Sequence, residues 1–114
     1  MAEIISANDG NFDSFMNGVK TIIVDFWAPT CIPCKLMEPG LEKIAANYQE
    51  NVKVLKVNVN ENPLTSSRFF VRTLPTLLFI KNGLVKTQII GAANPSQIEK
   101  TLIEVQQWKK TGIS

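Results

Sequence analysis

The 114-residue sequence contains no histidine. That excludes imidazole general bases, Ser-His or Cys-His catalysis within the chain, and every metal site that needs a His ligand. Charge of one sign is also missing: 12 Lys and Arg stand against 10 Asp and Glu, a formal net charge of +2. Such a balance gives no electrostatic case for nucleic acid or an anionic membrane as a partner. Long hydrophobic runs are absent. The longest, around 22–28 and 77–80, fall far short of the ~20 residues that span a bilayer. The first residues are neither basic nor followed by a long apolar run, so no secretory signal is read there and a reducing cytoplasm is the expected location. Cysteine occurs only as Cys31 and Cys34. A small secreted domain stapled by disulfides usually carries several separated pairs, so this spacing reads as chemistry more than as scaffolding.

What is present suits a packed domain: 45% of the residues are apolar and 19% charged, well away from a disordered composition. The length leaves room for one domain, taken as 1–114 with about 109–114 as a short C-terminal tail. Residues 22–27, Ile-Ile-Val-Asp-Phe-Trp, read as a strand buried on both faces. Residues 52–59 read as a second strand. Between them Met37, Leu41, Ile44, Ala45 and Tyr48 form the apolar stripe of a helix, with a kink expected at Pro39-Gly40. Strand, long helix, strand implies a right-handed crossover and a parallel pair.

Asn82-Gly83 between the apolar runs 76–80 and 84–90 predicts a hairpin, because both residues tolerate positive φ. Asn94-Pro95-Ser96-Gln97 marks the start of a last helix, with Asn94 as cap, Pro95 in the first turn and Gln97 placed to reach back. Its apolar face runs through Ile98, Leu102 and Val105 to Trp108. With short helices near 11–18 and 61–70, the order β-α-β-α-β-α-β-β-α predicts an α/β fold: a mixed sheet with helices on both faces.

Cys31-Ile32-Pro33-Cys34 falls where the first buried strand meets the long helix. Residues three apart at a helix start lie about 5 Å apart, Cα to Cα. Disulfides need about 4.4–6.8 Å, so this pair can open and close with little backbone motion. Unpaired backbone N–H groups and the positive end of the helix dipole favour a Cys31 thiolate, and Lys35 adds a nearby charge. Pro33 costs little in the first turn. Half of an all-cysteine zinc site would need a second pair from elsewhere. A purely structural disulfide enclosing two residues would restrict the unfolded chain little. Redox use is the better reading.

Asp25-Phe26-Trp27-Ala28-Pro29-Thr30-Cys31-Ile32-Pro33-Cys34-Lys35 resembles the active-site stretch of the thioredoxin family. Thr73-Leu74-Pro75-Thr76, Lys81-Asn82-Gly83 and Gly91 fall where that family has its cis-proline loop, hairpin and substrate-groove glycine, and the resemblance covers about residues 2 to 108. It implies a thioredoxin fold and a thiol–disulfide oxidoreductase that uses no cofactor beyond its own Cys31–Cys34 pair and no metal. Cys31 would be the attacking nucleophile and Cys34 the resolving thiol. For Asp25, the residues alone leave open a structural carboxylate paired at the strand end or a buried proton acceptor; the resemblance points to the latter. Lys56 on a strand would otherwise be a solvated or snorkelling side chain, whereas the resemblance sets it near the acid. Spacing alone makes the bond before Pro75 trans, and the resemblance makes it cis. Trp27, Thr30, Ile32, Pro33, Thr73, Leu74, Gly91 and Ala92 would meet the substrate.

Two departures stand out. The family usually has Trp where this chain has Thr30, and Gly where it has Ile32. Both alter the surface a partner touches. The resemblance implies protein disulfides as substrates and a thioredoxin reductase-type electron donor, with no nucleic acid, no membrane and a monomer expected. A second reading, a thioredoxin-fold interaction module or a dedicated reductant of one specialised partner, rests on Thr30 and Ile32.

Overall fold

The computed structural model describes residues 4–18 and 20–107. Trp108 and the 109–114 tail lie outside them. The elements are β1 (Ile4–Ser6), a 3-10 turn at Phe12–Phe15, β2 (Thr21–Trp27), α1 (Ile32–Asn47), β3 (Val52–Asn58), α2 (Pro63–Arg68), β4 (Thr76–Lys81), β5 (Leu84–Ile90) and α3 (Pro95–Gln106). Five strands form one sheet in the order β1-β3-β2-β4-β5. β3 runs parallel to β1 and β2, while β4 is antiparallel to β2 and β5. The mixed α/β architecture expected from the sequence is the one observed.

β2 occupies the centre because its residues are apolar on both sides. Alternation sends Ile23 to one layer with Val52, Val54, Leu77 and Phe79, where α1 and α3 cover them through Leu41, Ile44, Ile98 and Leu102. Ile22, Val24 and Phe26 enter the opposite layer with Leu55, Val57 and Leu78, beneath Phe12 and Phe69. Each large side chain fully withdrawn from water contributes about 1.5–3 kcal/mol. Both layers are therefore needed to hold the central strand rigid.

The hairpin turns at Asn82 and Gly83, with φ of 56° and 77°, as the two positive-φ positions of a tight turn require. The Asn94 side chain accepts the Gln97 N–H at 2.8 Å and caps α3. α2 is shorter than the 61–70 expected, and its cap is remote in sequence. Asp9 accepts the N–H groups of Leu64 and Thr65 at 3.2 and 2.8 Å, while Asn62 makes no side-chain cap bond. α1 is one element from Ile32 to Asn47 with Pro39 inside it. Gly40 has a packing reason: a Cβ there would lie 2.9 Å from Cγ of Pro95, where α1 and α3 cross.

Candidate active site

Three features converge at the C-terminal end of β2. The strand ends at Trp27, whose carbonyl accepts the Val59 N–H at 3.0 Å. The chain then turns through Ala28, whose carbonyl accepts the Cys31 N–H at 3.0 Å. Cys31 is the N-cap of α1, and its Sγ accepts the Cys34 N–H at 3.2 Å. Pro33 stands in the first turn, where its missing N–H leaves no helical bond unmade. The two cysteines form a disulfide with Cα atoms 5.3 Å apart. Cys31 is half-buried and Cys34 is 3% exposed, so only one sulfur is open to a macromolecule.

Around the disulfide, Thr30, Ile32 and Pro33 are exposed, and Ile32 retains 67% of its surface. The Leu74–Pro75 peptide is cis. Pro75 is buried and its carbonyl accepts the Gly91 N–H at 2.8 Å, which ties the loop before β4 to the end of β5. Thr76 Oγ1 donates to the carbonyl of Thr73 at 2.6 Å and closes that loop. Leu74 and Gly91 are half-buried, whereas Thr73 and Ala92 are exposed. A cleft of about 350 Å³ lined by Pro33, Leu36, Met37, Gly40 and Ala92 to Pro95 opens beside the cysteines.

On β2, two residues before the strand ends, Asp25 is completely buried. Alternation puts it in the same layer as Ile23, under α1. Neither carboxyl oxygen has a hydrogen-bond partner among the described residues. Burial pushes its pKa up from 3.8 to about 7, with Lys56 pulling down and Glu38 pushing up. Lys56 is the register partner of Asp25 on β3, but its ion pair is with Glu38 of α1 at 2.5 Å. Its ammonium also lies 4.3 Å from the centre of the half-buried Trp27 ring. The sequence reading set Lys56 near the acid without placing its ion-pair partner. Glu38 follows Cys34 by one turn, on the edge of the apolar stripe, and that position was its only signal.

A reversible disulfide with one sulfur half-buried and one buried, reached by a strand that carries a buried protonatable carboxyl, is suited to thiol–disulfide exchange. Among the described residues, no group of three or more His, Cys, Asp or Glu could hold a metal ion, and no helix is long and apolar enough to cross a membrane.

Comparison with known proteins agrees with this chemistry. A thioredoxin family model matches residues 3–104. The chain is 42% identical over 99 residues to a thioredoxin of Haemophilus influenzae, covering 86% of this chain and 92% of that one. It is 41% identical over 103 residues to a thioredoxin of Alicyclobacillus acidocaldarius, covering 90% and 98%. Against the chloroplastic M-type thioredoxin of Pisum sativum it is 40% identical over 91 residues, covering 79% of this chain and 53% of that one. With the cysteine pair at the head of α1, these matches make the chain a member of the thioredoxin family, a thiol–disulfide oxidoreductase acting by dithiol exchange.

Proposed function

We propose that the chain reduces protein disulfides in a reducing cytoplasm, as a monomeric single-domain carrier recharged by a thioredoxin reductase-type donor. The observation that carries this reading is the unequal exposure of Cys31 and Cys34 at the start of α1. In the reduced protein the Cys31 thiolate attacks a substrate disulfide. One S–S bond forms between Cys31 and the substrate, and the substrate's other sulfur leaves as a thiolate. Asp25 then takes the proton of Cys34. The Cys34 thiolate attacks Cys31 Sγ, which forms the internal disulfide and releases the second substrate thiolate. Two electrons pass from the dithiol to the substrate.

The remaining residues position the partner. Trp27, Thr30, Ile32 and Pro33 flank the reacting sulfur on one side, and Thr73, Leu74, Pro75, Gly91 and Ala92 on the other. The backbone of Leu74 offers an extended substrate segment hydrogen bonds in the manner of an added strand. Lys56 tunes Asp25 through its charge.

Replacing Cys34 with Ser tests the scheme. The variant is expected to accumulate mixed disulfides on Cys31 that dithiothreitol releases, and an absence of such adducts refutes the assigned roles. The exposed Ile32 also favours a narrower range of partners than a glycine would allow. A variant lacking both cysteines that kept its cellular function would support the interaction-module reading instead.

A further inference from the structure

We propose that Glu38 is a positioning residue for the redox reaction: it holds the Lys56 ammonium against Trp27 and away from Asp25, and so governs when Asp25 can take a proton. Asp25 and Lys56 are paired Cα for Cα across β2 and β3, and two side chains so placed lie on the same face within reach of each other. An unopposed lysine beside a buried carboxyl would turn toward it, since the low dielectric around Asp25 strengthens the attraction.

Lys56 does not do so. Its Nζ bonds Oε2 of Glu38 and lies over the Trp27 ring, while neither Asp25 oxygen has a hydrogen-bond partner among the described residues. Glu38 can hold the lysine in that position because its own side chain is 40% exposed and that of Lys56 is 18% exposed. The ion pair thus forms at the edge of the layer, where water still lowers the cost of keeping both charges.

Among the described residues, no other charge is seen to act on Asp25. β4 sets Leu77 opposite it, α3 sends Ile98, Leu102 and Val105 inward, and α1, which covers this layer, begins at the cysteine pair. Among the described residues, Lys56 and Glu38 are the charges that act on Asp25, with opposite sign. Removing Glu38 therefore acts twice in one direction. A negative charge that favours the protonated acid is lost, and Lys56 is freed to approach the carboxylate.

This inference rests on the reading of Asp25 as proton acceptor, and the experiment separates the two. The Asp25 carboxyl carbon is followed by NMR against pH in the full chain and in Glu38→Gln, Glu38→Ala and Lys56→Met variants. The pH dependence of insulin disulfide reduction is measured alongside. Both Glu38 variants are expected to lower the Asp25 midpoint by roughly half a pH unit or more, Lys56→Met is expected to raise it, and the rate profiles should move with the midpoints. A midpoint that is unmoved or raised in both Glu38 variants overturns the inference. Midpoints that move as expected under unmoved rate profiles uphold the placement of Lys56 and overturn the proton-acceptor role of Asp25.

Discussion

Asp25 and Lys56 stand side by side across the β2–β3 ladder, yet the lysine bonds Glu38 and leaves the carboxyl without a partner among the described residues. The acid is thus shielded from water by packing, and its neighbour's ammonium is bonded to a third residue instead of to the acid. Its proton affinity is set chiefly by burial.

The first prediction follows from that burial. The folded-state pKa of Asp25 lies above the ordinary value, at about 7 against 3.8. The folded protein therefore holds an extra proton between pH 4 and 7. The associated stability is complete below about pH 4 and is lost as pH rises through 7. The span corresponds to at most about 4 kcal/mol. Asp25→Asn should remove this slope: urea unfolding of the oxidised protein should show the variant more stable by a few kcal/mol at pH 8 and little changed at pH 4. Disulfide turnover should fall at the same time. An unchanged turnover near pH 7 would end the proton-acceptor role.

The second concerns the order of cysteine reactivity. Cys31 is half-buried, sits at the helix start and receives the Cys34 N–H, whereas Cys34 is 3% exposed. Substoichiometric iodoacetamide on the reduced protein should modify Cys31 first, as peptide mass spectrometry will show. Faster labelling of Cys34 would reverse the roles given to the two thiols.

A third addresses redox poise. Strong oxidants of the disulfide-exchange kind are strong because their reduced form is stabilised. Here the residues between the cysteines are Ile32 and Pro33, histidine is absent, and an apolar Ile32 beside Cys31 opposes the dipole's support of the thiolate. A less stabilised dithiol is a better reductant. The potential is expected below about −230 mV on equilibration with glutathione buffers, read by alkylation. A value near −180 mV, like that of protein disulfide isomerase, would make the protein an oxidant or isomerase instead.

The fourth lies on the far side of α2. Phe70 has a φ of 57° and is 80% exposed, so it bears the cost of a left-handed backbone with little packing in return. Phe70→Gly should stabilise the fold by about 0.5–1 kcal/mol, after allowing for glycine's greater freedom when unfolded. Chemical denaturation measures this directly. A loss of stability would show that the ring has contacts beyond those described.

The strands and long helices were legible because each carries its own periodicity: the doubly apolar 22–27, the stripe from Met37 to Ala45, the Asn-Gly turn and the Asn94 cap all announce themselves within a few residues. The cysteine pair was legible for the same reason, its chemistry being a matter of spacing. What escaped was set by contacts remote in sequence. Asp9 capping α2 spans more than fifty residues, and no local pattern points to it. Glu38 escaped because several charged residues border the stripe of α1, and only the packed structure shows which one meets Lys56.

The close crossing of α1 and α3 carries an evolutionary consequence. A Cβ on Gly40 would sit 2.9 Å from Cγ of Pro95, nearer than such atoms approach one another, so the two positions share a single allotment of space. Enlarging one demands shrinking or displacing the other. Pro95 opens the helix that follows Gly91 and Ala92, and Gly40 lies on the helix that begins at the cysteines. Substitutions at this pair are therefore tied together along any lineage, and a lone enlargement at Gly40 would press on the first residue of α3.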